Sequence, residues 1–150
     1  MAHSYVSALF RCVFSTKDRQ KVITDDLRVR LWPYMGGIAR ENKMRALSIG
    51  GVENHVHLLL SVPSTLSIAK AMQLIKGASS KWVHETYPEY KEFEWQEGYG
   101  AFTVGISQIP DTKIYIESQR EHHRTKTFQE EFITFLERHG IEHDPRYVWG

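Results

Sequence analysis

The residues best suited to chemistry in this chain stand in two short segments. His55-Val56-His57 is the first. Alternate residues of a strand point to one face. In an extended backbone His55 and His57 therefore lie side by side, while Val56, Leu58, Leu60 and Val62 form an apolar stripe on the other face. The strand rise puts the two attachment points about 6.5–7 Å apart, close enough for two imidazoles to converge on one cation. Two surface histidines on a half-exposed strand have the same spacing, so the pair alone leaves both readings open. The second segment is Tyr115-Ile116-Glu117-Ser118-Gln119. Residues i and i+4 share a helix face, which makes Tyr115 and Gln119 neighbours. A tyrosine so placed commonly ends as the edge of a core. It can also act as a nucleophile that forms a covalent intermediate, given a poised phosphate and a neutralising cation. The histidine pair is a candidate holder of that cation.

These side chains need rigid supports, and the hydropathy pattern supplies them. Residues 4–15 alternate as a strand, with Val6, Ala8, Phe10, Cys12 and Phe14 on one face. Residues 24–41 carry Leu27, Leu31, Tyr34 and Ile38 at helical spacing behind Thr24 or Asp25 as N-cap, although Pro33 and Gly36-Gly37 argue against an ideal helix. Residues 43–51 and 54–62 read as two strands of an antiparallel hairpin, with Gly50-Gly51 and Glu53-Asn54 as turn chemistry. Residues 66–87 form an amphipathic helix with Ile68, Met72, Ile75, Ser79 and Trp82 inward, ended by Pro88.

Residues 99–107 alternate again, with Phe102, Val104 and Ile106 on one face. A helix follows from Asp111 to about residue 123. The last helix opens with the capping box Thr127-x-x-Glu130, carries the stripe Phe128, Phe132, Phe135 and Leu136, and stops at Gly140. Tyr147, Val148 and Trp149 are expected to dock the tail. The resulting order is the βαββαβ pattern of an α+β, ferredoxin-like antiparallel sheet with helices on one face and additional C-terminal helices.

A length of 150 residues predicts a single domain, 1–150. The lone Cys12 excludes an intramolecular disulfide and a cysteine zinc cluster, and suits a cytoplasmic protein. No apolar run reaches the roughly 20 residues of a membrane span, and the first residues, interrupted by Arg11, are not expected to be a signal peptide. A net charge of +1 does not announce a nucleic-acid binder, so any DNA contact must rest on local clusters. The candidates are Arg11 and Lys17 near the first strand, Lys70 and Lys76 in a helical stripe with Gln73 and Ser80 and with Lys81 beside it, and Arg120, Arg124 and Lys126 near Tyr115. Such charges can hold phosphates, and a solvated face accounts for the stripe equally well. Trp95, Tyr99 and Phe102 can stack on unpaired bases, core packing being the more ordinary fate of Phe102.

Three motifs then fall in order: HVHLLL after a Gly-Gly pair, WQEGYGAF, and YIESQ followed by a His-His pair. Together they resemble the single-tyrosine transposases of the HUH superfamily, small enzymes of insertion sequences that move as single-stranded DNA. Domesticated relatives act on repetitive extragenic palindromes. The likeness runs from the first strand to the penultimate helix. It implies His55 and His57 as the metal pair, Tyr115 as the catalytic tyrosine and Gln119 as third metal ligand. The implied metal is Mg²⁺, with Mn²⁺ able to substitute because imidazole is a softer ligand than Mg²⁺ prefers. The implied partners are single-stranded DNA with hairpin ends and a second copy of the chain, in a homodimer joined at sheet edges, where the tyrosine helix of one subunit can complete the other's site. The implied reaction cleaves and rejoins strands through a 5′-phosphotyrosine without ATP, and no P-loop pattern is present. The alternative is a domesticated relative that holds hairpin DNA without transposing it. A phosphodiesterase using water is a third reading that leaves Tyr115 idle.

Overall fold

The computed structural model of the chain describes residues 3–123 and 126–149. Strands β1 (Leu9–Ser15), β2 (Arg45–Val52), β3 (His55–Ser61) and β4 (Gly100–Thr103) form one antiparallel sheet in the order β2-β3-β1-β4. Helix α1 (Asp25–Glu41) connects β1 to β2, and α2 (Ile68–Thr86) connects β3 to β4. This is the expected βαββαβ arrangement. Three further helices follow: α3 (Ile109–Glu117), α4 (Gln119–His122) and α5 (Phe128–Arg138).

Alternation along the strands divides the apolar side chains between two layers. Cys12, Phe14, Val56, Leu58 and Leu60 face α1 and α2, where Leu27, Leu31, Met35, Met72, Ile75 and Val83 close a buried core. Each large side chain so buried is worth roughly 1.5–3 kcal/mol of transfer free energy. The opposite face is covered by the C-terminal helices. There Val13 and Phe102 meet Phe128, Phe132, Phe135 and Leu136 of α5. Thr24 caps α1 by accepting from the Leu27 N–H at 3.2 Å, and the capping box of Thr127 and Glu130 starts α5. Gly140 leaves α5 at φ +62°, a conformation that glycine adopts without steric cost. Val148 and Trp149 dock on the α5 cluster as expected, whereas Tyr147 stays exposed.

Several boundaries differ from the sequence expectation, each for a local reason. β1 begins at Leu9 rather than residue 4, because its partner β3 ends at Ser61, the residue opposite Leu9. β4 stops at Thr103 for the same reason: beyond it the Val104 N–H bonds to the Leu9 carbonyl, where β1 starts. The helix expected from Asp111 to 123 starts at Ile109 and breaks at Ser118, whose hydroxyl donates back to the Ile114 carbonyl at 2.6 Å. In α2 Val83 takes the inner position expected of Trp82, which stacks on Tyr34 of α1 with centroids 4.3 Å apart. Trp95 is no stacking platform for bases. It is buried edge-on against Phe14 and Phe93 and donates its indole N–H to Ser79 Oγ at 3.0 Å.

The Gly50-Gly51 pair does not make the turn. Both residues lie inside β2, and Glu53-Asn54 alone turns the hairpin. A Cβ on Gly50 would stand 2.2 Å from the Ile116 carbonyl oxygen of α3, and one on Gly51 would stand 2.2 Å from the His55 carbonyl oxygen and 3.1 Å from the Trp32 ring of α1. Bare backbone at Gly50 is thus what lets α3, the helix of Tyr115, lie directly on the sheet. Gly50→Ala is expected to destabilise the protein by about 1–3 kcal/mol in urea unfolding, the usual cost of overpacking. Gly77→Ala, in α2 with open space around it, is expected to stabilise by about 0.5–1 kcal/mol.

Candidate active site

His55 and His57 leave β3 on the face opposite the Val56 stripe, and both are fully buried beneath the C-terminal helices. Their ring centroids lie 5.3 Å apart. His55 Nδ1–H donates to Asn54 Oδ1 at 2.8 Å, which fixes the tautomer and turns the Nε2 lone pair inward. That nitrogen meets Gln119 Oε1 at 3.2 Å. The amide is oriented by its own Nε2, which donates to the Tyr115 carbonyl at 3.0 Å. Tyr115 and Gln119 are therefore neighbours as the i,i+4 spacing requires, although the helix breaks between them. The Tyr115 ring stands edge-on to His57, with centroids 5.8 Å apart.

Two residues enter this centre that the sequence reading did not single out as site residues. Glu131 of α5 is only 1% exposed, and His57 Nε2–H donates to its Oε1 at 2.8 Å. Its Oε2 accepts the Tyr115 hydroxyl. His123, just after α4, brings Nε2 to 3.3 Å from Glu131 Oε2 and 3.0 Å from Gln119 Oε1. One ligand atom from each of His55, His57, His123 and Glu131 lies within 4.8 Å of the others, a spacing that can hold a metal ion. A signal for both was present. His123 is four residues beyond Gln119 on the same helical face, and Glu131 is a carboxylate set inside the apolar stripe of α5.

Burial and charge govern the electrostatics. Burial pushes His55 down to about 3, reinforced by His57 and opposed by Glu131. Burial pushes Glu131 up, but hydrogen bonds from His123, His57 and Tyr115 hold it well below the ordinary carboxylate range. Burial raises the Tyr115 phenol well above its usual value, and the hydrogen bond to Glu131 raises it further. His57 Nδ1 is buried and has no hydrogen-bond partner among the described residues, which agrees with the ring N–H lying on Nε2, where Glu131 accepts it.

The donor set fits a divalent cation. Neutral His55 spends its one ring N–H on Asn54, and Gln119 Oε1 cannot donate, so two lone pairs face each other at 3.2 Å. A cation is the partner both atoms can share.

The basic residues fall into distinct settings. Arg11 is half-buried, its guanidinium stacked 4.8 Å from the Tyr115 ring and 4.9 Å from Phe135, and burial lowers its pKa. It lines a cleft of about 340 Å³ with Thr103, Gln108 and Arg138. Lys76 lines a larger groove of about 460 Å³ with Gln73, Ser80 and Tyr99, donates to the carbonyls of Glu97 and Gly98, and is pushed by burial down to about 8. Lys70 bonds Gln73, while Lys17 and Lys81 pair with Glu94 and Glu85 on the surface. Arg120 pairs with Asp25 of α1. Arg124 lies outside the described residues. Phe102 is buried in the second core.

A four-stranded antiparallel sheet with a histidine pair on a central strand, under a tyrosine and an amide carried by two successive helices, is the arrangement of a single-tyrosine transposase of the HUH class. The family model "Transposase IS200 like" matches residues 4–119, and the chain belongs to that family of DNA transposases. It is 27% identical over 117 residues to the ISDra2 transposase TnpA of Deinococcus radiodurans, covering 75% of this chain and 84% of that protein. It is 28% identical over 129 residues to the transposase for insertion sequence element IS200 of Salmonella typhimurium, covering 81% and 82%. A solved structure from Deinococcus radiodurans R1, described as a transposase, superposes with a TM-score of 0.59 at 26% identity over 79% of this chain and 96% of that one. A REP-associated tyrosine transposase bound to a REP hairpin shares the fold, with a TM-score of 0.55 at 13% identity over 77% and 68%. The family match ends at Gln119, so His123 and Glu131 lie beyond it.

The His55 environment sets a pH dependence. An unfolded imidazole takes up its proton near 6.5 and the folded one near 3, so between these values the unfolded state binds more protons and folding weakens as pH falls. With chelator present, urea midpoints of the wild type are expected to drop from pH 6.5 to pH 4 more steeply than those of His55→Asn, by at most about 1.4 kcal/mol per pH unit. Parallel profiles for the two proteins would contradict the assignment.

Proposed function

We propose that this transposase cleaves and rejoins single-stranded DNA through Tyr115, with a divalent cation held by His55, His57 and Gln119. The observation that carries the reading is the facing lone pairs of His55 Nε2 and Gln119 Oε1, one helical turn from the Tyr115 hydroxyl's own residue. Mg²⁺, or Mn²⁺ in its place, would polarise a phosphoryl oxygen there as a Lewis acid.

Tyr115 attacks the scissile phosphorus with its phenolic oxygen. The bond from phosphorus to the 3′ oxygen of the preceding nucleotide breaks, leaving a free 3′-hydroxyl and a 5′-phosphotyrosine. Glu131 Oε2, which accepts the phenol's hydrogen bond, is the nearest station for the departing proton. Attack by another 3′-hydroxyl reverses the step and joins strands without ATP, since the phosphodiester energy is kept in the tyrosyl ester. Arg11, stacked on the Tyr115 ring, is placed to hold a phosphate at the adjoining cleft. Lys76 and Tyr99 offer a second groove for the strand, charge for phosphate and a ring face for a base. Lys17, Lys70, Lys81, Arg120 and Arg124 are proposed as outer phosphate contacts. The REP-bound neighbour supports hairpin-ended DNA as the substrate. The whole chain, residues 1–150, is read as one such domain, acting in the cytoplasm as a homodimer joined at a sheet edge, where unpaired strand groups invite pairing.

Tyr115→Phe keeps the ring and removes only the hydroxyl. It is expected to bind a hairpin-bearing single strand and to form no denaturant-resistant adduct. His55→Ala and His57→Ala are expected to lose cleavage of that strand, and the perfect duplex is expected to resist the wild type. An adduct on Tyr115→Phe, seen by denaturing electrophoresis, would overturn the mechanism.

Light scattering at micromolar concentration is expected to give about twice the 17.5 kDa chain mass. A mass of one chain would remove the homodimer.

A further inference from the structure

We propose that Arg11 and Arg138 together form a phosphate site beside the Tyr115 ring, which holds the phosphate next to the scissile one in the bound single strand. The inference rests on the reading above and deepens it, because it gives the same strand a second anchor. Arg138 closes α5, well past Gln119, where the family match ends.

The cleft of about 340 Å³ takes its polar lining from Arg11, Thr103, Gln108, Arg138 and His139. Among the described residues no carboxylate lines it. Gln108 Oε1 accepts the Gly105 N–H at 2.8 Å, so what that amide has left to offer the cleft is its Nε2 donor. The His139 ring packs on Phe102, with centroids 4.8 Å apart. Two guanidiniums, an amide donor and a threonine hydroxyl with no acid among them are the inventory of a site for an anion. A phosphate supplies the acceptor oxygens that this lining lacks.

The arginines themselves carry the second observation. Arg11 Nε is buried and has no hydrogen-bond partner among the described residues. A buried donor left unpaired costs free energy, so this one calls for an acceptor. The Arg11 guanidinium stands over the Tyr115 and Phe135 rings, 4.8 and 4.9 Å from their centroids, and that packing fixes its plane. Burial lowers the Arg11 pKa, Tyr115 and Glu131 pull it back up, and the charge of Arg138 lowers it again. The two guanidiniums therefore repel each other across the cleft, and an anion between them turns that repulsion into two attractions. A planar guanidinium fork matches phosphate oxygens in pairs, which a point charge does not. Arg11 lies against the ring whose oxygen attacks, so a phosphate held here adjoins the one at Tyr115. Arg138 at the C-terminus of α5 can also simply balance the helix dipole. The two roles predict different results.

The test measures binding of a hairpin-bearing single strand to the full-length protein by fluorescence anisotropy through a salt titration. Arg138→Gln is expected to weaken binding roughly tenfold and to make the slope of log affinity against log salt shallower by about 0.7, the loss of one phosphate contact on a single strand. Arg146→Gln, which removes an arginine paired with Asp144 in the tail, is expected to leave both unchanged. The adduct on the wild type first locates the scissile phosphate. Each phosphate flanking it is then replaced in turn by an uncharged methylphosphonate. At one of the two, the wild type is expected to lose the affinity that Arg138→Gln loses, and Arg138→Gln to lose no more. The methylphosphonate acts on the DNA alone, so the wild-type result stands even if a variant folds poorly. A wild-type slope in Arg138→Gln, or no loss by the wild type at either flanking position, overturns the proposal. Lower urea stability in Arg138→Gln with affinity and slope intact overturns it too and makes Arg138 a partner of the helix dipole. When the wild type forms the adduct, these negative results strike the phosphate site alone. If the wild type forms no adduct, the reading above falls, and the proposed neighbour of a scissile phosphate falls with it.

Discussion

A carboxylate with 1% of its surface exposed, Glu131, ties together three parts of the molecule that share no sequence neighbourhood. Its oxygens take hydrogen bonds from His57 on β3 and from Tyr115 on α3, and stand beside His123 after α4. A buried charge is costly unless it is paired and hydrogen-bonded, and removing one partner of such a group commonly costs about 3–5 kcal/mol. The requirement works in both directions. α5 can bury the apolar stripe of Phe128, Phe132 and Phe135 only in a register that also satisfies Glu131. The histidines and the tyrosine are in turn held at fixed separations by the packing of that helix. Fold and site are therefore one constraint on this face of the sheet, whereas the α1 and α2 face is packed mainly by apolar contact.

Close approach on that face depends on what is missing from β2. Gly50 lies opposite His57 in the ladder and beneath the Ile116 carbonyl of α3. With any larger residue there, α3 would ride higher, and Tyr115 and Gln119 would move off the histidines together. Gly51, one residue on, does the same work for Trp32 and the α1 layer. Two adjacent glycines in one strand thus admit one helix to each side of the sheet, because successive positions of a strand face opposite ways.

The charged surface divides by prior commitment. Lys17, Lys81 and Arg120 already hold acidic partners at exposed positions, where such pairs are worth only about 0–1 kcal/mol. Phosphates can exchange for those partners at little cost. Arg11 and Lys76 are different. Both are partly buried against aromatic rings and line clefts, so their charges are held in place. Positioning of this kind lowers the entropy lost on binding.

The sequence by itself determined the βαββαβ order, the apolar stripes, the caps of α1 and α5, and the placement of His55 and His57 on the face away from the core. Each follows from a period of 2 or 3.6 or from a capping residue, which are local properties of the chain. It also placed Tyr115 beside Gln119, since one helical turn survives the break at Ser118. Strand ends were not legible, because β1 and β4 stop where their partners stop, and a single strand carries no record of its neighbour's length. The role of Gly50-Gly51 was misread for a related reason: glycine marks a turn and a close approach alike, and only the helix lying on it tells them apart. Most of all, tertiary structure decided that His123 and Glu131 join the histidine pair. Glu131 is 74 residues from His57, and a carboxylate in an apolar stripe declares that it needs a partner without saying which. The partner was fixed by the packing of α5 over β1 and β3, a long-range contact that no periodicity encodes.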